Sequence, residues 1–175
     1  MPHAPAARPA PRRGRGVLLL PGVALLLAPL GGCGGAVDLG EEPDLPAAQA
    51  AACADLLAAV PDALGGLERR DAEPAAAGAA WGDPAVVLRC GATTPEGLDP
   101  FSQCEDVEGV GWYVPPEALG DPAAPITVTT IGVEPAVSLT YPPEQRGTAA
   151  ATRVELAPLL VDALETGEAC EPPPR

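Results

Sequence analysis

The chain contains no lysine and no asparagine, and its single histidine, His3, stands among the first residues. After position 3 there is therefore no imidazole and no ε-amine. That removes Ser/His/Asp and Cys/His catalysis, Ser/Lys dyads, Schiff bases and histidine-ligated zinc. Ser102 and Ser138 have no imidazole or amine to activate them. Aromatic residues are scarce, with two Trp, two Tyr and one Phe in 175 residues. A core so poor in large rings gains much from covalent staples. No acid precedes Asp38, no C-x-x-C pair occurs and no segment repeats. No apolar run reaches the about 20 residues that span a bilayer.

The N-terminus carries the clearest positive signal. Met1 to Gly16 holds Arg8, Arg12, Arg13 and Arg15, and Val17 to Leu30 follows as an apolar run broken by Pro21 and Pro29. This order of a basic segment and a short apolar segment reads as a signal peptide over residues 1–32. It ends in Leu30-Gly31-Gly32-Cys33 rather than an A-x-A site. Leucine, two small residues and cysteine form a bacterial lipobox, in which the thiol takes a diacylglyceryl group and becomes the new N-terminus. Cys33 is the expected lipid-attachment residue. The expected location is the outer face of the plasma membrane, lipid-anchored. Two acyl chains hold a protein far better than one, at about 0.8 kcal/mol per buried methylene.

Residues 33–175 suit one domain by length. They carry all 24 acids against six arginines, a net charge of −18. Such a surface repels nucleic acid and anionic headgroups. The expected partners are the plasma membrane, through the N-terminal lipid, and an envelope protein or cell-wall component; nucleic acid is not one. Setting Cys33 aside leaves Cys53, Cys90, Cys104 and Cys170, which in an exported protein imply two disulfides in one of three connectivities.

A flexible tether is expected over residues 33–45, a single domain over 46–170 and a disordered tail over 171–175. Cys53, Leu56, Leu57 and Val60 fall at helical spacing within Pro46 to Val60, and Pro61 stops that helix. Pro61 to Gly78 reads as a loop, with Arg69-Arg70-Asp71 a solvated corner. Short β-prone runs follow at Ala79–Trp81, Val86–Cys90, Val110–Val114, Ile126–Ile131 and Ala136–Tyr141, with Gly and Pro between them. Gly132 to Pro135 makes a hairpin of the last two. Thr148 caps a first helical turn, and Pro158 suits the first turn of a final helix. The fold class is α+β: a central, mainly antiparallel sheet of about five short strands, helices from both ends packed on it, stapled by disulfides. In this layout Cys90 pairs with Cys104 across a Gly- and Pro-rich loop, and Cys53 with Cys170 between the terminal helices.

Chemistry-bearing clusters are few. Trp81, Asp83, Arg89 and Trp112 are the candidates for a ligand cleft, with Arg89 available to a carboxylate or phosphate. Trp112 and Tyr113, adjacent in a strand, point to opposite faces. Glu105, Asp106 and Glu108 match no calcium-loop spacing. With 24 acids, some pair always lies at glycosidase distance, so no such pair stands out. No catalytic residue, metal or cofactor is expected.

Trp81-Gly82-Asp83-Pro84-Ala85-Val86-Val87-Leu88-Arg89-Cys90-Gly91 resembles the actinobacterial family known as domain of unknown function 3515, a set of small exported proteins and lipoproteins. Cys104, Gly109 to Tyr113, Thr129 to Gly132, Pro135 to Val137 and Cys170 extend the resemblance. It implies an actinobacterial envelope setting and the four-cysteine framework, and brings no activity. The functional expectation is a non-enzymatic envelope protein that binds a partner protein or wall component. Its rival is a small-ligand receptor or an acid-only hydrolase acting on wall material.

Overall fold

The computed structural model describes residues 35–99 and 101–170. The segment expected as a signal peptide, residues 1–32, and Cys33 lie outside the described residues, as does the expected tail, 171–175. In chain order the elements are β1 (Val37–Asp38), α1 (Ala47–Ala59), β2 (Ala63–Leu64), β3 (Leu67–Arg70), β4 (Ala72–Glu73), β5 (Gly78–Trp81) and β6 (Val86–Cys90). Then come β7 (Cys104–Val107), β8 (Val110–Tyr113), α2 (Pro116–Leu119), β9 (Ile126–Ile131), β10 (Val133–Glu134), β11 (Val137–Tyr141), α3 (Ala149–Ala163) and β12 (Glu165–Thr166). A 3-10 turn over Pro143–Thr148 leads into α3.

Eight strands form one sheet in the order β2-β3-β5-β6-β11-β9-β8-β7, and every pairing in it is antiparallel. The α+β class with two helices on an antiparallel sheet stands, with eight strands in place of five. The extra ones come from two places. The stretch expected as a loop after Pro61 forms β2 and β3, so Arg69 and Arg70 are strand residues and not a solvated corner. The acidic Glu105-Asp106 stretch forms β7, the edge strand. Neither carries an apolar alternation, and only pairing with a neighbour makes them strands.

Register fixes what each face presents. Antiparallel partners share a face. Trp81 pairs with Val86, Leu88 with Leu139, Leu139 with Val128 and Trp112 with Thr130. This face meets α1 and α3. Leu56 from α1 and Leu156 and Leu160 from α3 pack there, fully buried with Leu64, Leu88 and Leu139. Tyr141 joins sheet to helix by a 2.6 Å hydrogen bond to Thr152 Oγ1. Burial pushes the Tyr141 phenol up to about 12, while the Thr152 hydroxyl and the Arg153 guanidinium pull it the other way. Close approach inside the sheet explains Gly78: a Cβ there would lie 1.9 Å from Leu88 O.

Helix α1 stops where proline forces the preceding Val60 into an extended conformation. Helix α3 does not restart at Pro158 as expected; it runs through it. The missing N–H deprives the Val154 carbonyl of its helical partner. Both Val154 and Pro158 are exposed, so water can take that carbonyl. Thr148 makes no side-chain cap; its hydroxyl donates to Gln145 O.

The cysteines pair differently from the expected layout. The bridges are Cys53–Cys90 and Cys104–Cys170. The physical reason is parity. Cys90 lies on the helix-bearing face, directly beneath α1. Cys104 pairs with Tyr113 and lies on the opposite face. Four strand steps, about 19 Å, also separate β6 from β7. The C-terminal segment crosses that opposite face to reach Cys104, and a Cβ on Gly111 would lie 2.3 Å from Cys170 N.

The segment expected as a tether is laid on the domain from Val37 onward. Val37 N donates to Asp71 O at 2.8 Å and Leu39 N to Glu73 O at 2.7 Å. Leu39 is buried, and Arg89 Nη2 donates to Glu41 O at 2.5 Å.

Candidate functional site

The four residues expected to form a cleft do not meet. Trp81 is fully buried in β5; its Nε1 donates to Pro61 O at 3.0 Å, and the Arg69 guanidinium lies 5.1 Å from its ring centre. Trp112 is equally buried in β8, and its Nε1 has no partner among the described residues. Three strands separate the two tryptophans. Asp83 is exposed at the β5–β6 turn, 3.7 Å from Arg70 Nη1. Arg89, on the opposite face, is committed to the N-terminal strap through Glu41 O. Tyr113 points away from Trp112, and both rings are buried. The acidic cluster ties β7 to α3 and closes the β7–β8 turn. Glu105 pairs with Arg153 at 2.6 Å, and Asp106 Oδ1 accepts from Gly109 N.

A cleft of about 500 Å³ opens elsewhere, at the end of the sheet where β6 and β9 finish. Its walls are the lead-in and first turn of α1 (Leu45, Gln49), the loop after β6 (Ala92 to Asp99) and the β9–β11 turn (Thr129 to Ala136). Local chemistry builds each wall. Gly91 takes a positive φ, and Gly91 N and Ala92 N both donate to Ala136 O at 2.9 Å, fixing the loop base to the start of β11. A Cβ on Gly91 would lie 2.7 Å from Leu45, so glycine lets the α1 lead-in close on the loop. Asp99 folds the loop tip: its Oδ1 accepts from Phe101 N, and its own N–H donates to Ser102 Oγ. Thr130 Oγ1 accepts from Val137 N, and Gly132 O accepts from Gly167 N at 2.6 Å, so the C-terminal segment braces the third wall.

The lining mixes apolar and polar groups. Leu45, Leu98, Ile131 and Val133 supply apolar surface. Thr129 is buried, and its hydroxyl, the Thr94 hydroxyl and the Gln49 amide bond to no other described residue. Among the described residues, Asp99 and Glu134, both exposed, are the only charged ones in the lining, and no arginine joins them. The arrangement can surround a small molecule and hydrogen-bond to it. No group of three or more His, Cys, Asp or Glu side chains able to hold a metal occurs among the described residues.

Sequence reasoning placed no site residue in this cleft. Gly91, Thr129 to Gly132 and Pro135-Ala136, which carry the family resemblance, all line it. Their Gly- and Pro-marked strand ends were the available signal. No curated protein and no solved structure matches the chain. Residues 33–168 match the family described as Protein of unknown function (DUF3515), and the chain belongs to that family.

Proposed function

We propose that the protein is a lipid-anchored, extracytoplasmic binding protein of an actinobacterial envelope. It is non-enzymatic and holds a small ligand or wall component in the cleft between α1, the loop after β6 and the β9–β11 turn. The cleft carries this reading. At about 500 Å³ it falls within the size of small-molecule sites, and its lining has the usual mixture of apolar walls and a few polar groups. Its lining offers no cysteine, serine, histidine or lysine as nucleophile or amine base. The basic-then-apolar leader and the Leu30-Gly31-Gly32-Cys33 motif support the anchor, and the high content of Ala, Pro, Gly and Arg, as codons of a GC-rich genome give, supports the actinobacterial origin.

The strap supports a placement close to the membrane. With Val37 hydrogen-bonded to the domain, the four steps from Cys33 span at most about 14 Å. An acylated Cys33 would hold the domain close to the bilayer. The test is fractionation with crosslinking in living cells, using the native chain and Cys33→Ala. The native chain should remain with membranes and give a recurrent adduct. Cys33→Ala should appear in the medium without it. Retention of Cys33→Ala in the membrane fraction contradicts the anchor.

A further inference from the structure

We propose that the cleft takes an organic cation, an ammonium or guanidinium group carried on an apolar body. The inference rests on the reading of the cleft as a ligand site and names the chemistry that site selects. Among the described residues, the only charges in its lining are Asp99 and Glu134. The protein has little with which to answer an anion. Lysine is absent, and the arginines of the described domain are committed elsewhere. Arg69 lies over Trp81, Arg70 donates to Gly82 O, Arg89 to Glu41 O, Arg146 to Asp121 O and Arg153 to Glu105. Residues 33–175 carry a net charge of −18, and a concave site with low-dielectric walls concentrates such a field.

The neutral groups fit the same ligand. The hydroxyl of buried Thr129, without a described partner, can accept an N–H, as can the side-chain oxygen of Gln49 and the hydroxyl of exposed Thr94. Asp99 is held in place rather than free to swing away, because its Oδ1 already accepts from Phe101 N. The apolar wall of Leu45 and Val133 takes the body of the ligand. A carboxylate or phosphate would have to lose water beside two like charges.

Three probes with one apolar body separate the alternatives: n-butylammonium, n-butanol and butyrate. Each is titrated into the exported chain, residues 33–175 carrying Cys33→Ala, and the amide NMR shifts of Thr94, Asp99 and Thr129 are followed. n-Butylammonium should give saturable shifts that weaken with added salt, and butyrate none. The double variant Asp99→Asn/Glu134→Gln should weaken n-butylammonium binding roughly tenfold. The amide at position 99 keeps the oxygen that accepts from Phe101 N, and an unchanged melting temperature verifies the fold. Butyrate or n-butanol binding as tightly as n-butylammonium would overturn the cation while leaving the cleft a ligand site. Saturable shifts from none of the three would overturn both.

Discussion

The two tryptophans are equally buried yet differ in what their indole N–H groups find. Trp81 Nε1 donates to Pro61 O, and its ring carries the Arg69 guanidinium. Trp112 Nε1 is buried with no described partner. Both lose similar volume on replacement by Phe. Trp81→Phe also forfeits a hydrogen bond and a cation–π contact, each about 1 kcal/mol. Trp112→Phe removes a donor whose burial costs about 1–3 kcal/mol. Urea unfolding should therefore find Trp81→Phe the less stable by about 3–5 kcal/mol, and equal losses would mean that the Trp112 donor is satisfied. Tyr141 sets a pH limit. Its phenol is raised from 10.0 to about 12 in the folded chain, chiefly by burial. The folded state holds this proton more tightly than the unfolded one. The contribution is complete below pH 10 and is lost as the pH rises towards 12, by about 2–3 kcal/mol. Tyr141→Phe should flatten the fall in stability across that window. A fall as steep in Tyr141→Phe as in the native chain would assign the loss to another group.

At the scale of elements, the bridges hold different halves of the structure. Cys53–Cys90 ties α1 to the helix-bearing face, and Cys104–Cys170 ties the C-terminal segment to the opposite one. They close loops of 37 and 66 residues, each worth about 4 kcal/mol in the chain-entropy picture. A non-reducing peptide map should join Cys53 to Cys90, and Cys53→Ala/Cys90→Ala should melt about 10 °C lower, taking about 3 °C per kcal/mol for a domain of this size. Recovery of a Cys90–Cys104 peptide would contradict the register itself. The elements legible in the sequence were those whose apolar spacing is imposed from one side. Cys53, Leu56 and Val60 marked α1, and Ile126, Val128, Val137 and Leu139 marked the β9–β11 hairpin. The bridge pairing was not legible, because it depends on which face each cysteine takes and on how many strands intervene. Neither is written in local spacing. Strands β3 and β7 were missed because their charged residues reveal a strand only once β5 and β8 lie beside them.

At the scale of the molecule, the −18 charge of residues 33–175, the ordered strap and the cleft belong to one picture: an acidic domain with its N-terminal segment laid on it and a recess of about 500 Å³ at one end of its sheet. The sequence pointed to a ligand cleft around Trp81 and Trp112. In the fold both rings are the core under α1 and α3, and a recess forms where three loops converge from distant parts of the chain. Convergence of that kind cannot be read from composition, although the Gly and Pro residues at the strand ends mark the segments involved. Site-specific photocrosslinking in living cells would probe the recess most directly, with the photoreactive residue placed at Thr94 on the cleft and, as control, at exposed Glu68 on β3. A cleft that holds a ligand predicts a recurrent adduct from Thr94, absent from Glu68 and diminished in Asp99→Asn/Glu134→Gln. The same adducts from both positions, or none from Thr94, would contradict a binding role for the cleft.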